Sequence, residues 1–179
     1  AQDPALVIDD TGMHDLFMRG EYQPLGLEEA VDISKEMYLA LQKKGISVVR
    51  MGLHPSEELR RPGTVVSGPY HPAFGELVMQ AVFKEQAVCL VRQYINCHPG
   101  CDNLFLLVSR RELSKLLGWK KSNIEAIKKN TGLESLLIKP TDNLQSGDLI
   151  AGSDSGGGQI KLSRRTFLEK RPDMVGGSL

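Results

Sequence analysis

Cysteine is scarce in this chain. Three residues in 179 are an odd number and too few to staple a secreted domain, which fits free thiols in a reducing compartment. Long apolar runs are missing as well: none approaches the roughly 18 residues of a membrane span, and the first residues lack the basic start and long apolar stretch of a signal peptide. A cytoplasmic protein without a membrane partner is expected. No Gly-x-Ser-x-Gly, P-loop or dinucleotide fingerprint occurs, so the simple hydrolase and nucleotide-binding classes have no support. Net charge is also absent, with 22 Lys+Arg against 22 Asp+Glu. At 41% hydrophobic and 25% charged residues, the composition is that of an ordinary folded chain.

Zero net charge conceals a gradient. Residues 1–103 hold nine Lys/Arg and fourteen Asp/Glu, whereas residues 104–179 hold thirteen and eight. The second part is the one suited to a polyanion. The break favours two small domains, 1–100 and 101–179.

In the first part, Ala5-Leu6-Val7-Ile8 between Pro4 and Asp9-Asp10-Thr11-Gly12 predicts a buried strand. A short helix carrying Met13, Leu16 and Phe17 should follow and stop at Gly20. Glu28, Glu29 and Asp32 then place negative charge at the start of a helix and Lys43-Lys44 positive charge at its end, before Gly45. Ala30, Ile33, Met37, Ala40 and Leu41 form its expected apolar face. Ile46-Ser47-Val48-Val49-Arg50-Met51 reads as a second strand, which makes a parallel βαβ unit.

The run Gly20-Glu21-Tyr22-Gln23-Pro24-Leu25-Gly26-Leu27-Glu28-Glu29-Ala30, with Gly12 through Arg19 before it, resembles a segment of radical SAM enzymes. The likeness is to the group containing the elongator catalytic subunit and its bacterial relatives, with its Gly-Glu-Tyr-x-Pro-Leu-x-Leu-Glu-Glu-Ala block. Arg50-Met51-Gly52-Leu53-His54-Pro55 and Gly68-Pro69-Tyr70-His71-Pro72-Ala73-Phe74-Gly75-Glu76-Leu77-Val78 are similar to downstream segments of the same relatives. The resemblance covers about half of the chain. It implies the end of a radical SAM barrel with post-barrel helices over 1–100. It also implies a parent protein holding a 4Fe-4S cluster and S-adenosylmethionine, and partners that include the chain's own upstream domain. Such clusters need thiolate ligands, in this family Cys-x3-Cys-x2-Cys. Cys97 and Cys101 have the first spacing, but Leu104 stands at the third position. The fragment itself is therefore expected to hold no cofactor and to be inactive alone.

Candidate contacts to substrate or cofactor in this part are Arg50, at a strand end, and Tyr70, His71 and Glu76, around a Pro-flanked turn that opens a helix. A turn that packs His71 and Phe74 against the sheet uses the same residues and is the more frequent use of such a turn. Cys97, His98 and Cys101 lack the second ligand pair of a structural zinc site and read as a Pro-Gly loop, so no metal is assigned. Gly156-Gly157-Gly158 reads as a flexible loop.

In the second part, Asn103–Val108 predicts a strand. Ser109-Arg110-Arg111-Glu112 matches a capping box, and Leu113, Leu116 and Leu117 form a helix stopped at Gly118. Ser122-Asn123-Ile124-Glu125 matches a second capping box and opens a helix ended by Thr131-Gly132. Leu133–Ile138 and Gln159–Leu162 read as strands. Leu116-Leu117-Gly118-Trp119-Lys120-Lys121-Ser122-Asn123-Ile124 is similar to the Ile-Ile-Gly-x-x-Gly-x-x-Ile core of KH domains, whose two-glycine loop clamps about four nucleotides. Lys121 stands where the second Gly belongs. The fold class read from the whole is α/β plus α+β: a partial parallel-sheet unit followed by a small KH-like domain.

RNA is the partner this resemblance implies, and tRNA the class implied by the elongator-like likeness. Gly118, Trp119, Lys120, Lys121, Ser122 and Asn123 are its candidate contacts, joined by the basic residues Lys128, Arg164 and Arg165. Two helices across a Gly-containing turn also suit a DNA-binding helix-turn-helix, although flanking strands favour the KH-like order. A structural or assembly domain with solvated lysines uses the same residues.

Overall fold

The computed structural model describes residues 3–54 and 56–171. Pro55, the last residue of the Arg50–Pro55 run, lies outside the described residues. The chain divides into two compact units, Ala1–Val78 and Met79–Leu179. The boundary between these units falls within a helix.

The first unit holds β1 (Val7–Ile8), α1 (Gly12–Met18), α2 (Leu27–Lys43), α3 (Glu57–Arg60), β2 (Val65–Ser67) and the first turn of α4 (Phe74–Cys97). Thr11 caps α1, its hydroxyl accepting from the His14 amide. Lys44 closes α2 and Gly45 follows at φ 73°, the left-handed stop that the sequence implies.

The expected parallel βαβ pairing is not what forms. β1 pairs antiparallel with β2, Val7 opposite Ser67, and residues 46–50 form no strand, with a single bridge residue at Met51. Gly68, at φ 114°, allows this pairing: a Cβ there would lie 3.1 Å from the Ala5 carbonyl oxygen and 3.2 Å from the Leu6 Cα. The buried face of α2 is also rotated from the expected one. Ala30, Ser34 and Leu39 are buried, whereas Ile33 and Met37 are 43% and 45% exposed. Ala30 packs with Phe74 and Val78, and Leu27, Val31 and Met51 surround them.

The second unit is a four-stranded sheet with helices. β3 (Asn103–Ser109), β4 (Ser135–Thr141), β5 (Leu149–Gly152) and β6 (Gln159–Leu162) take the order β4-β3-β5-β6. β3 and β4 are parallel and the other two pairs antiparallel. The parallel pair needs a crossover, supplied by α5 (Leu113–Leu117) and α6 (Ser122–Thr131). α7 (Arg164–Lys170) follows β6, capped by the Ser163 hydroxyl.

Leu104, Leu106 and Val108 of β3 alternate inward with Leu149, Ala151 and Leu162. Beyond residue 79, α4 is apolar on most of its circumference. Val82, Phe83, Ala87, Leu90, Val91 and Tyr94 are all fully buried, which suits a helix enclosed by its unit. Gln86 is buried among them, its amide donating to the Gly147 and Leu162 carbonyls at 2.8 and 3.1 Å.

Neither capping box forms. Ser109 makes no side-chain cap, and the Glu112 carboxylate turns instead to the loop before β5. Only 5% exposed, it accepts from the Ser146 hydroxyl at 2.7 Å and the Gly147 amide at 2.9 Å. α6 begins at Ser122 itself, with Lys121 at its N-cap and no side-chain cap. Gly156-Gly157-Gly158 is pinned within the β5–β6 connection. The Tyr94 hydroxyl donates to the Gly156 and Gly158 carbonyls, and a Cβ on Gly157 would lie 2.8 Å from the His98 ring.

Candidate nucleic-acid interface

The connection between α5 and α6 has a backbone built for close turning. Gly118 has φ 71° and ψ 176°, a region open essentially to glycine alone. A Cβ there would meet the Asn123 side chain and the Ser122 hydroxyl, both at 2.9 Å. Lys120 (φ 47°, ψ 33°) and Lys121 (φ 64°, ψ 22°) follow, two consecutive left-handed residues with side chains. The position at which the KH-like pattern asks for its second glycine does take a glycine-like conformation, with a lysine in it.

This geometry turns the loop's side chains outward. Trp119 is 70% exposed, its backbone amide donating to the Gln80 side chain at 3.2 Å. The Lys120 ammonium lies 5.7 Å from the Trp119 ring centroid. Lys121 and Ser122 are exposed at the start of α6, whose first amides carry the positive end of the helix dipole without a side-chain cap. A flat aromatic surface and two cations at a helix N-terminus are groups that bind a base and its phosphate.

The remaining candidates are placed differently. Asn123 is 5% exposed and its amide donates to the Gln80 and Lys115 carbonyls at 2.9 and 3.1 Å, so it holds the loop from inside. Lys128 is half-buried further along α6. Arg164 stacks its guanidinium 4.7 Å over the Phe83 ring and packs on Gly147, a structural position. Arg165 is exposed and paired with Glu169 at 3.0 Å, one helical turn on.

In the first unit, Arg50 pairs with Asp3 at 3.1 Å. The His71 Nδ1 accepts from the Ala73 amide at 3.1 Å, fixing the turn into α4. The Tyr70 hydroxyl is buried without a hydrogen-bond partner among the described residues, and Glu76 lies half-buried in the first turn of α4. Gly52 and Gly75 let two of the resembling runs meet. Their ideal Cβ positions lie 2.7 Å from the Phe74 side chain and 3.0 Å from the Met51 carbonyl.

Sequence reasoning missed Gln80 and Gln86 and gave Glu112 a capping role, because the partners of all three come from distant parts of the chain. His98, read as part of a loop, stacks on Tyr94 at 4.3 Å between centroids, and the Cys101 thiol donates to the Asn103 carbonyl.

Residues 4–84 match the family model for the Radical_SAM C-terminal domain. That family implies a 4Fe-4S cluster and S-adenosylmethionine in the parent protein. The residues of this chain do not fit the cluster: its cysteines are Cys89, Cys97 and Cys101, and no group of three or more His, Cys, Asp or Glu able to hold a metal occurs among the described residues. No helix among the described residues is long and apolar enough to cross a membrane. No curated protein and no solved structure matches the chain. That match covers just under half of the chain and supports a likeness to the C-terminal part of radical SAM proteins.

Proposed function

We propose that this chain is the C-terminal part of an RNA-modifying radical SAM enzyme resembling the bacterial relatives of the elongator catalytic subunit. In this reading a KH-like second unit holds the RNA, with tRNA its natural substrate class, and an upstream domain of the same polypeptide carries the cluster and S-adenosylmethionine. The observation that carries the reading is the Gly118–Lys121 loop. Two left-handed lysines and an exposed Trp119 stand at the uncapped start of α6. Such a loop grips a sugar-phosphate backbone without reading sequence, while the indole stacks on a base. The bracketing of α5 and α6 by the adjacent parallel strands β3 and β4 favours this over a helix inserted in a DNA groove.

The test is fluorescence anisotropy with a labelled single-stranded RNA. Trp119→Ala should weaken binding by about 1–3 kcal/mol. Lys120→Ala with Lys121→Ala should weaken it further without loss of helical signal. RNA affinity equal to wild type in both variants would remove the loop from the function.

A further inference from the structure

We propose that the outer edge of β4 is a self-complementary interface through which two copies of this chain join their sheets. The inference is independent of RNA binding and rests on the strand itself. β4 is the end strand of the order β4-β3-β5-β6, seven residues long, and its outer side has no strand partner among the described residues.

The direction of its polar groups follows from one hydrogen bond. The Ser135 amide donates to the Asp102 carbonyl at 3.2 Å, on the β3 side. Alternation then turns the polar groups of Leu137, Lys139 and Thr141 towards β3 and those of Leu136 and Ile138 outward. Pro140 falls in the outward set, where its missing N–H breaks no bond to β3.

Edge strands are normally guarded by a lysine or by irregularity. Here the one lysine of the strand is folded back: the Lys139 ammonium lies 3.0 Å from Asp154 and 4.1 Å over the Phe105 ring. Pro140 guards only the last third. Leu136-Leu137-Ile138 is left as an unguarded apolar edge, with Leu137 52% exposed.

That edge matches itself. In an antiparallel pairing centred on Leu137, Leu136 faces the partner's Ile138, both with outward polar groups, and Ile138 faces the partner's Leu136. About four main-chain hydrogen bonds result. Leu137 faces the partner's Leu137 as the close, non-hydrogen-bonded pair, so the exposed leucines cover one another. Ser135 faces the partner's Lys139, and no like charges oppose across the two-fold axis. The pairing closes after two copies.

The experiment uses the whole 179-residue chain. Sedimentation equilibrium from micromolar to hundreds of micromolar protein should show a monomer–dimer equilibrium. Leu137→Lys, at an exposed site, should raise the dissociation constant about tenfold or more with unchanged circular dichroism. Leu137→Cys should form an intermolecular disulfide under mild oxidation, because the paired Cα atoms would lie about 4.5 Å apart, within disulfide range. Ser135→Cys, which faces the partner's Lys139, should crosslink no more than wild type. A monomer throughout the range, a dimer indifferent to Leu137→Lys, or equal crosslinking through Ser135→Cys would each overturn the proposal, the last two by assigning the dimer to another surface.

Discussion

At the scale of single residues, the α5–α6 loop combines one glycine that is required with two lysines held in left-handed backbone. Gly118 combines positive φ with atoms at 2.9 Å from any Cβ, so Gly118→Ala should cost about 1–3 kcal/mol in urea unfolding. Lys121 has a left-handed backbone but no such crowding to justify it. A non-glycine residue there costs about 1–2 kcal/mol, and a glycine gives back part of that through unfolded-chain entropy. Lys121→Gly should therefore raise stability by about 0.5–1 kcal/mol while weakening RNA binding. A stability gain with undiminished RNA affinity would separate the conformation from the function. A stability loss would mean the lysine side chain contributes to the fold.

At the scale of elements, the β5–β6 connection and the end of α4 are held by one phenol. Tyr94 is fully buried, and burial, with a smaller contribution from nearby Cys101, raises its pKa above the usual 10.0. The folded state keeps this proton at a pH where the unfolded chain has released it. The unfolded state then binds fewer protons, so stability is complete below pH 10 and is lost as pH rises from there through the raised folded pKa. Chemical denaturation at stepped pH should show this alkaline loss, and Tyr94→Phe should flatten it while costing about 1 kcal/mol at neutral pH. An alkaline slope unchanged in Tyr94→Phe would assign it to another group.

The same element shows what the sequence can carry. Elements marked by their own residues are legible: α2 with its charged ends and Gly45, β3 as an apolar run, α6 ended by Gly132, and β6 over Gln159–Leu162. Those defined by partners are not. Leu149–Gly152 becomes β5 by lying between Phe105–Val108 and Gln159–Leu162, and β1 pairs with β2 where Gly68 permits the approach. In the candidate loop, Gly118, Trp119 and the lysines are singled out by the likeness to the KH pattern, and their left-handed turn follows from the Gly118 backbone. The inward role of Asn123 depends on Gln80, 43 residues away, and no local pattern announces it.

For the molecule as a whole, charge is the property that binds these scales together. The chain is neutral overall, yet its later part carries thirteen Lys/Arg against eight Asp/Glu. A neutral protein has little long-range pull on a polyanion, so the proposed affinity for RNA rests on cations placed at the contact. Several basic residues of the second unit are already engaged with neighbours: Lys139 with Asp154, Arg110 with Asp142, and Arg165 with Glu169. The loop lysines are the cations set beside an exposed aromatic ring. The salt dependence of binding distinguishes this local arrangement from a diffuse one. For single strands the logarithm of the binding constant falls with the logarithm of salt by about 0.7 per neutralised phosphate. If Lys120 and Lys121 each neutralise one phosphate, their double substitution by Ala should make the slope shallower by about 1.4. A diffuse basic surface would instead spread the loss over thirteen residues, and removing two would barely change the slope. Anisotropy titrations at four or more salt concentrations on wild type and the double variant decide between the two, because only a local grip ties the slope to this loop.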